Sequence, residues 1–141
     1  MSQFITLEDY DASIHREILD ALVRQDETVI EICEDRAVAQ MRSYLSRRYD
    51  CDRIFAARGE KRHQLILMMA LDVAIYHISS IHNPNTLKGI RKDRYDAARE
   101  WMKAVAAEEI SIDGAPPLPK ETRRRNANFL FKSNPKRVNH L

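Results

Sequence analysis

The sequence predicts an all-α protein: a four-helix-type bundle with an extended C-terminal arm. Three observations carry this. Apolar residues recur at three-and-four spacing over several long stretches, the signature of one helix face meeting a core. Only three glycines occur in 141 residues, Gly59, Gly89 and Gly114, too few for the tight turns of a sheet-rich chain. A proline run, Pro116, Pro117 and Pro119, cannot be helical and marks a stiff exit from the bundle. We therefore divide the chain into a helical domain, residues 1–114, and a Pro-containing basic arm, residues 115–141.

The organising stretch is residues 26–49. Ile30, Cys33, Ala37, Met41, Tyr44 and Leu45 form its apolar stripe, while Asp35, Arg36, Arg42, Ser43, Ser46 and Arg47 project the other way. Asp26 is its expected N-cap, and Arg47 and Arg48 suit the negative end of the helix dipole. Before it, Thr6-Leu7-Glu8-Asp9 resembles a capping box, and Leu7, Tyr10, Ile14, Ile18, Leu19 and Leu22 predict one or two short helices over residues 7–24. Residues 50–60 have a broken pattern and a glycine, so a loop is expected there, anchored by Ile54 and Phe55.

Residues 65–78 are apolar on nearly every side, with Asp72 and His77 as the strongly polar members. Such a helix belongs at the centre of the bundle. The apolar run is shorter than the roughly 18–20 residues that span a bilayer, and Asp72 interrupts it, so no membrane partner is expected. Ser79 and Ser80 continue the helix and Asn83-Pro84 stops it. Residues 90–109 are amphipathic through Tyr95, Ala98, Met102 and Val105, widened by Trp101. Residues 109–114 then alternate briefly, an extended exit.

Charge is distributed unevenly. In residues 115–141, seven cations face the single acid Glu121, giving +6; with +2 overall, residues 1–114 hold −4. The opening residues contain acids and no apolar core, unlike a signal peptide. Cys33 and Cys51, on a mostly helical stretch, should lie roughly 25 Å apart, too far for an internal disulfide. Reduced thiols fit synthesis in the cytoplasm.

No constellation predicts a metal, a cofactor or catalysis. His77 and His82 diverge by about 140° round a helix, and His63 and His77 would stand about 21 Å apart. Neither His-x3-His nor Cys-x2-Cys spacing occurs. Three scattered glycines make no phosphate loop. Asp72 has two readings: a catalytic acid in an apolar setting, or a structural link to an arginine such as Arg47 or Arg48, favoured because no second catalytic group stands beside it. The arm has three readings. Arg123, Arg124 and Arg125 beside Phe129 and Phe131 suit docking on a neighbouring subunit, DNA contact through phosphate and base stacking, or a solvated tail.

The order of elements resembles a family of small Mu-like phage and prophage proteins, similar to head–tail connector (adaptor, or head-completion) proteins of tailed phages. The likeness is carried by Phe4, Ile5, Thr6, Leu7, Glu8, Asp9 and Tyr10; by Ala37, Met41, Tyr44, Leu45, Arg48 and Tyr49; and by Leu71, Asp72, Val73, Ala74 and Tyr76. It continues through Arg94, Tyr95, Ala98, Trp101, Met102, Val105 and Ile110-Ser111-Ile112, and weakly at residues 133–137. The resemblance implies a helical subunit, without catalytic residues, that forms a ring of identical copies beneath the portal. Its partners would be the portal, tail-completion proteins and, weakly, DNA. It implies the host bacterial cytoplasm during assembly, then the virion. By position, it implies structural roles for Tyr44, Leu45, Tyr49, Asp72, Tyr76, Tyr95 and Trp101. The charged, proline-free residues 51–60 and the long basic tail depart from the family pattern. A helical nucleic-acid-binding protein that uses the tail is the alternative reading.

Overall fold

The computed structural model describes residues 4–12, 27–82 and 89–119. It is all-α. Four helices, α1 (Glu27–Leu45), α2 (Cys51–Ala56), α3 (Gln64–His82) and α4 (Ile90–Ala106), are accompanied by two short 3-10 turns, Leu7–Ala12 before α1 and Gly59–Lys61 between α2 and α3. Among the described residues there is no strand, only an isolated antiparallel bridge between Tyr49 and Pro117. Helix α3 packs against α1 and α4, which also touch each other, while α2 rests on α1. His63, just before α3, meets Asp113 beyond the end of α4, and Tyr76 late in α3 stacks on Tyr95 early in α4. These two helices therefore run antiparallel.

The α1 stripe is where the spacing places it: Ile30, Cys33, Ala37, Met41 and Leu45 are buried, and Tyr44 packs partly buried against the core. Asp26 lies outside the described residues. The helix stops at Leu45, earlier than the pattern suggests, because Arg48 N–H and Tyr49 N–H both turn back to the Leu45 carbonyl. Helix α3 is buried on most sides through Ile66, Leu67, Ala70, Leu71, Val73, Ala74, Ile75, Ile78 and Ser79. At 19 residues it is longer than its apolar run, and Gln64–Ile81 is long and apolar enough by length and composition to cross a membrane. Half of that window is buried inside the bundle.

The loop expected over residues 50–60 is instead largely helical. Asp50 Oδ1 accepts from Arg53 N–H at 3.2 Å and caps α2, a half-apolar turn whose Ile54 and Phe55 enter the core. Six residues are too few for a periodic signal, so the cap was the only readable clue. Only half of the amino-terminal capping box forms: Asp9 accepts from Thr6 N–H (2.7 Å) and Thr6 Oγ1 (3.0 Å), while Asp9 N–H donates to the Thr6 carbonyl (3.1 Å) instead of the hydroxyl, and the segment opens a 3-10 turn. The helices expected beyond residue 12 fall outside the described residues, as does Asn83-Pro84.

Helix α4 buries Ala98, Met102 and Val105 and ends earlier than residue 109. Glu109 N–H reaches the Ala104 carbonyl (2.9 Å) and Glu108 N–H the Val105 carbonyl (3.1 Å), a Schellman ending with Glu108 in the left-handed region at φ 64°. A side chain in that region is strained, and glycine relieves the strain. Glu108→Gly should therefore stabilise the protein by about 1 kcal/mol, read as a higher denaturation midpoint with an unchanged slope. An unchanged or lower midpoint would show that this ending carries no strain.

The chain beyond α4 turns back onto the body. Ile112 is buried and its N–H donates to Tyr49 Oη at 2.8 Å. Asp50 N–H donates to the Pro116 carbonyl (2.9 Å) and Leu118 N–H to the Arg48 carbonyl (3.4 Å), with Leu118 buried at the end. The first residues of the proline run thus lie along residues 48–50.

Candidate functional site

Among the described residues, four places where polar side chains enter the bundle join its elements. The first surrounds Asp72, whose side chain is 11% exposed on α3. Its cation comes from α4: Arg94 Nη1 stands 3.8 Å from Asp72 Oδ1. Burial pushes the carboxyl above its ordinary range, and the charges of Arg94 and Arg91 offset part of that. The expected partners Arg47 and Arg48 are elsewhere. Arg47 is exposed. Arg48 Nη1 donates to the carbonyls of Val105 (2.6 Å) and Ile110 (2.7 Å), and Nη2 donates to Ser111 Oγ (3.1 Å). Residues 46–48 form a turn after α1, and this turn, which periodicity does not reveal, aims Arg48 at the end of α4.

The second place joins three helices. Gln40 on α1 donates its amide N–H to Tyr95 Oη on α4 at 3.2 Å, and its carbonyl oxygen faces His77 Nε2 on α3 at the same distance. Tyr76 stacks on Tyr95 with ring centroids 3.8 Å apart. Burial lowers the His77 pKa, with Arg36 adding to the effect, so the ring stays neutral and donates through Nε2. The cluster aligns α1, α3 and α4 by hydrogen bonds and stacking.

The third place clamps the amino-terminal segment. Arg62 donates to the Phe4 carbonyl (2.8 Å) and the Gly59 carbonyl (2.8 Å), and it grips Asp9 with both terminal nitrogens, Nη2 to Oδ1 at 3.0 Å. Burial would raise the Asp9 carboxyl, but the hydrogen bonds from Arg62 and Thr6 hold it below the ordinary range. The fourth is the pair Tyr10 and Glu34. Tyr10 is fully buried, Glu34 is 4% exposed, and the phenol donates to Glu34 Oε2 at 2.7 Å. Neither Arg62 nor Glu34 was singled out from the sequence. Glu34 was legible: it lies four residues after Ile30 and three before Ala37, inside the apolar stripe.

The residues given structural roles by the resemblance are buried or partly buried. Leu45 and Tyr49 are buried, Tyr44, Tyr76, Tyr95 and Trp101 are partly buried, and Asp72 sits between α3 and α4. Arg123, Arg124, Arg125, Phe129 and Phe131 lie outside the described residues. Cys33 and Cys51 are buried free thiols whose pKa values burial raises, which keeps them protonated and poorly nucleophilic. His63 uses both ring nitrogens structurally, Nε2 on the Asp113 carbonyl (2.6 Å) and Nδ1 on Ile66 N–H (3.4 Å). Among the described residues, no three His, Cys, Asp or Glu side chains group as metal ligands.

Two open surface grooves flank the proline run. One, of about 610 Å³, is edged by Arg53, Lys61 and His63 and walled by Pro116 and Pro117. The other, of about 460 Å³, lies between Arg42, Asp52 and Leu118. Cys51 also lines the second groove, between Asp50 and Asp52, and burial raises the pKa of its thiol. What the four polar places do in common is join one element of the bundle to another. No protein-family model, curated protein or solved structure matches the chain.

Proposed function

We propose that this chain is a structural subunit of a phage or prophage head–tail connector, assembling with copies of itself into a ring between portal and tail. The observation that carries the reading is that most of the residues on which the resemblance rests pack in the bundle, while Thr6, Leu7, Glu8, Ile110 and Ser111 stay exposed. Ala37, Met41 and Leu45 from α1, Leu71, Val73 and Ala74 from α3, and Ala98, Met102 and Val105 from α4 form one core. Tyr76 and Tyr95 stack where α3 meets α4. An ordered set of positions along the sequence thus becomes one contiguous packing arrangement.

A ring subunit needs a rigid body and apolar surface for its neighbours. Ile32, Met68, Ile81 and Ile90 are large apolar side chains left at least two-fifths exposed. Buried against a neighbouring copy or a portal face, they would contribute to association. The −4 body suits weak, sliding contact with DNA passing through the ring, and the +6 charge of residues 115–141 suits locking onto neighbouring copies.

Sedimentation of the full chain over a concentration series, alone and with portal rings, tests this. The expected result is a uniform oligomer, or a monomer that joins portal in fixed stoichiometry. A chain that stays monomeric, ignores portal, and binds DNA with a steep salt dependence lost on removing residues 120–141 would instead establish the nucleic-acid reading.

A further inference from the structure

The amino-terminal segment, residues 4–12, meets the body through two adjacent links. Asp9 is held by Arg62, and the next residue, Tyr10, is buried against Glu34 on α1. A buried carboxylate ordinarily requires a cation or several donors. The donor that reaches Glu34 among the described residues is one neutral phenol, at 2.7 Å. Among the described residues, the charged groups facing it are acids: Glu31 and Asp35 on its own helix and Asp9 on the segment. The nearby cation from the α2–α3 connection, Arg62, is engaged with Asp9.

We infer that the Tyr10–Glu34 pair is a proton-operated latch, holding residues 4–12 on α1 while the carboxyl keeps its proton and loosening as it ionises. Burial, reinforced by Asp35, Glu31 and Asp9, pushes the Glu34 carboxyl up to about 7, with the Tyr10 hydrogen bond pulling the other way. Once the segment lifts, the carboxyl meets water and returns toward 4.5. The closed form therefore binds the proton more tightly. Its advantage is complete below about 4.5, falls as pH rises toward 7, and is constant above that. Between pH 5.5 and 7.5 the open population should rise about twentyfold. Opening uncovers the ring of Phe55, on which Phe4 packs edge-on with centroids 5.0 Å apart.

Amide hydrogen exchange of the full chain between pH 5.5 and 8.5, corrected for the intrinsic pH dependence, reads the latch through the Thr6 and Asp9 N–H groups. Both are hydrogen-bonded within the segment. Their protection should fall about twentyfold across the lower part of this range and level off above pH 7, while amides in the middle of α3 stay protected. Glu34→Gln, which keeps an acceptor for Tyr10 but cannot ionise, should abolish the pH dependence. Tyr10→Phe removes the bond that lowers the carboxyl's pKa, so its levelling-off should move above pH 7. The latch is refuted if wild-type protection is flat with pH, if Glu34→Gln keeps the wild-type profile, or if α3 amides lose protection in step with the segment. An unmoved profile in Tyr10→Phe refutes it as well.

Discussion

Arg62→Ala should destabilise the protein by about 3–4 kcal/mol, the largest loss expected from any single polar side chain here. The guanidinium is 10% exposed and its partner Asp9 13%, so the pair works largely out of water. Truncation leaves a shielded carboxylate without its cation and removes the guanidinium's hydrogen bonds to the carbonyls of Phe4 and Gly59, the latter keeping only the Arg62 backbone N–H at 3.3 Å. It also frees a segment that carries Phe4, Ile5 and Tyr10 into the core. The pH dependence separates this link from the latch beside it. The folded Asp9 pKa is held below 3.8, so the stability it adds is present above that value and lost as pH falls through the folded pKa. Urea melts at pH 6 and pH 3 should therefore show the wild-type advantage over Arg62→Ala shrinking in acid. Equal differences at both values would mean that packing, not the ion pair, holds the segment.

Arg48→Ala should cost about 3 kcal/mol, and Arg48→Lys should recover less than half of it. The side chain closes the carboxyl-terminal end of α4 by donating to Val105 and Ile110 carbonyls and to Ser111, and it lies 5.4 Å over the Tyr49 ring. A planar fork spans these three acceptors, whereas an ammonium, a point donor, cannot hold the same geometry. Because Tyr49 also receives Ile112 N–H, the damage should spread to the exit strap: limited proteolysis should cut residues 107–119 faster in Arg48→Ala while α3 stays intact. Uniform cleavage along the chain would contradict this local role.

The three long helices were legible because their faces obey a single period. Ile30 to Leu45, the all-round apolar α3, and Ala98 to Val105 each bury where the spacing directs. Asp72 was legible as an inter-helix residue, but its cation was not. Helix periodicity fixes faces but not the rotation of one helix against another, and that rotation brings Arg94 to Asp72. Arg48 was misplaced because the chain leaves α1 at Leu45 in a turn, a feature set by backbone hydrogen bonds rather than by pattern. The α2 helix hid in a charged stretch too short to show a period. Glu34 was legible by its place between Ile30 and Ala37, but its partner Tyr10, 24 residues earlier in the chain, was not. The candidate site was therefore less readable than the fold, since sites are made by meetings between elements.

Deleting the gene from the genome that encodes it, and imaging any particles released on induction, tests the proposed connector role most directly. The account predicts DNA-filled heads and separate finished tails that fail to join, with joining restored by the intact chain supplied in trans. Normal tailed particles from the deletion strain would contradict it.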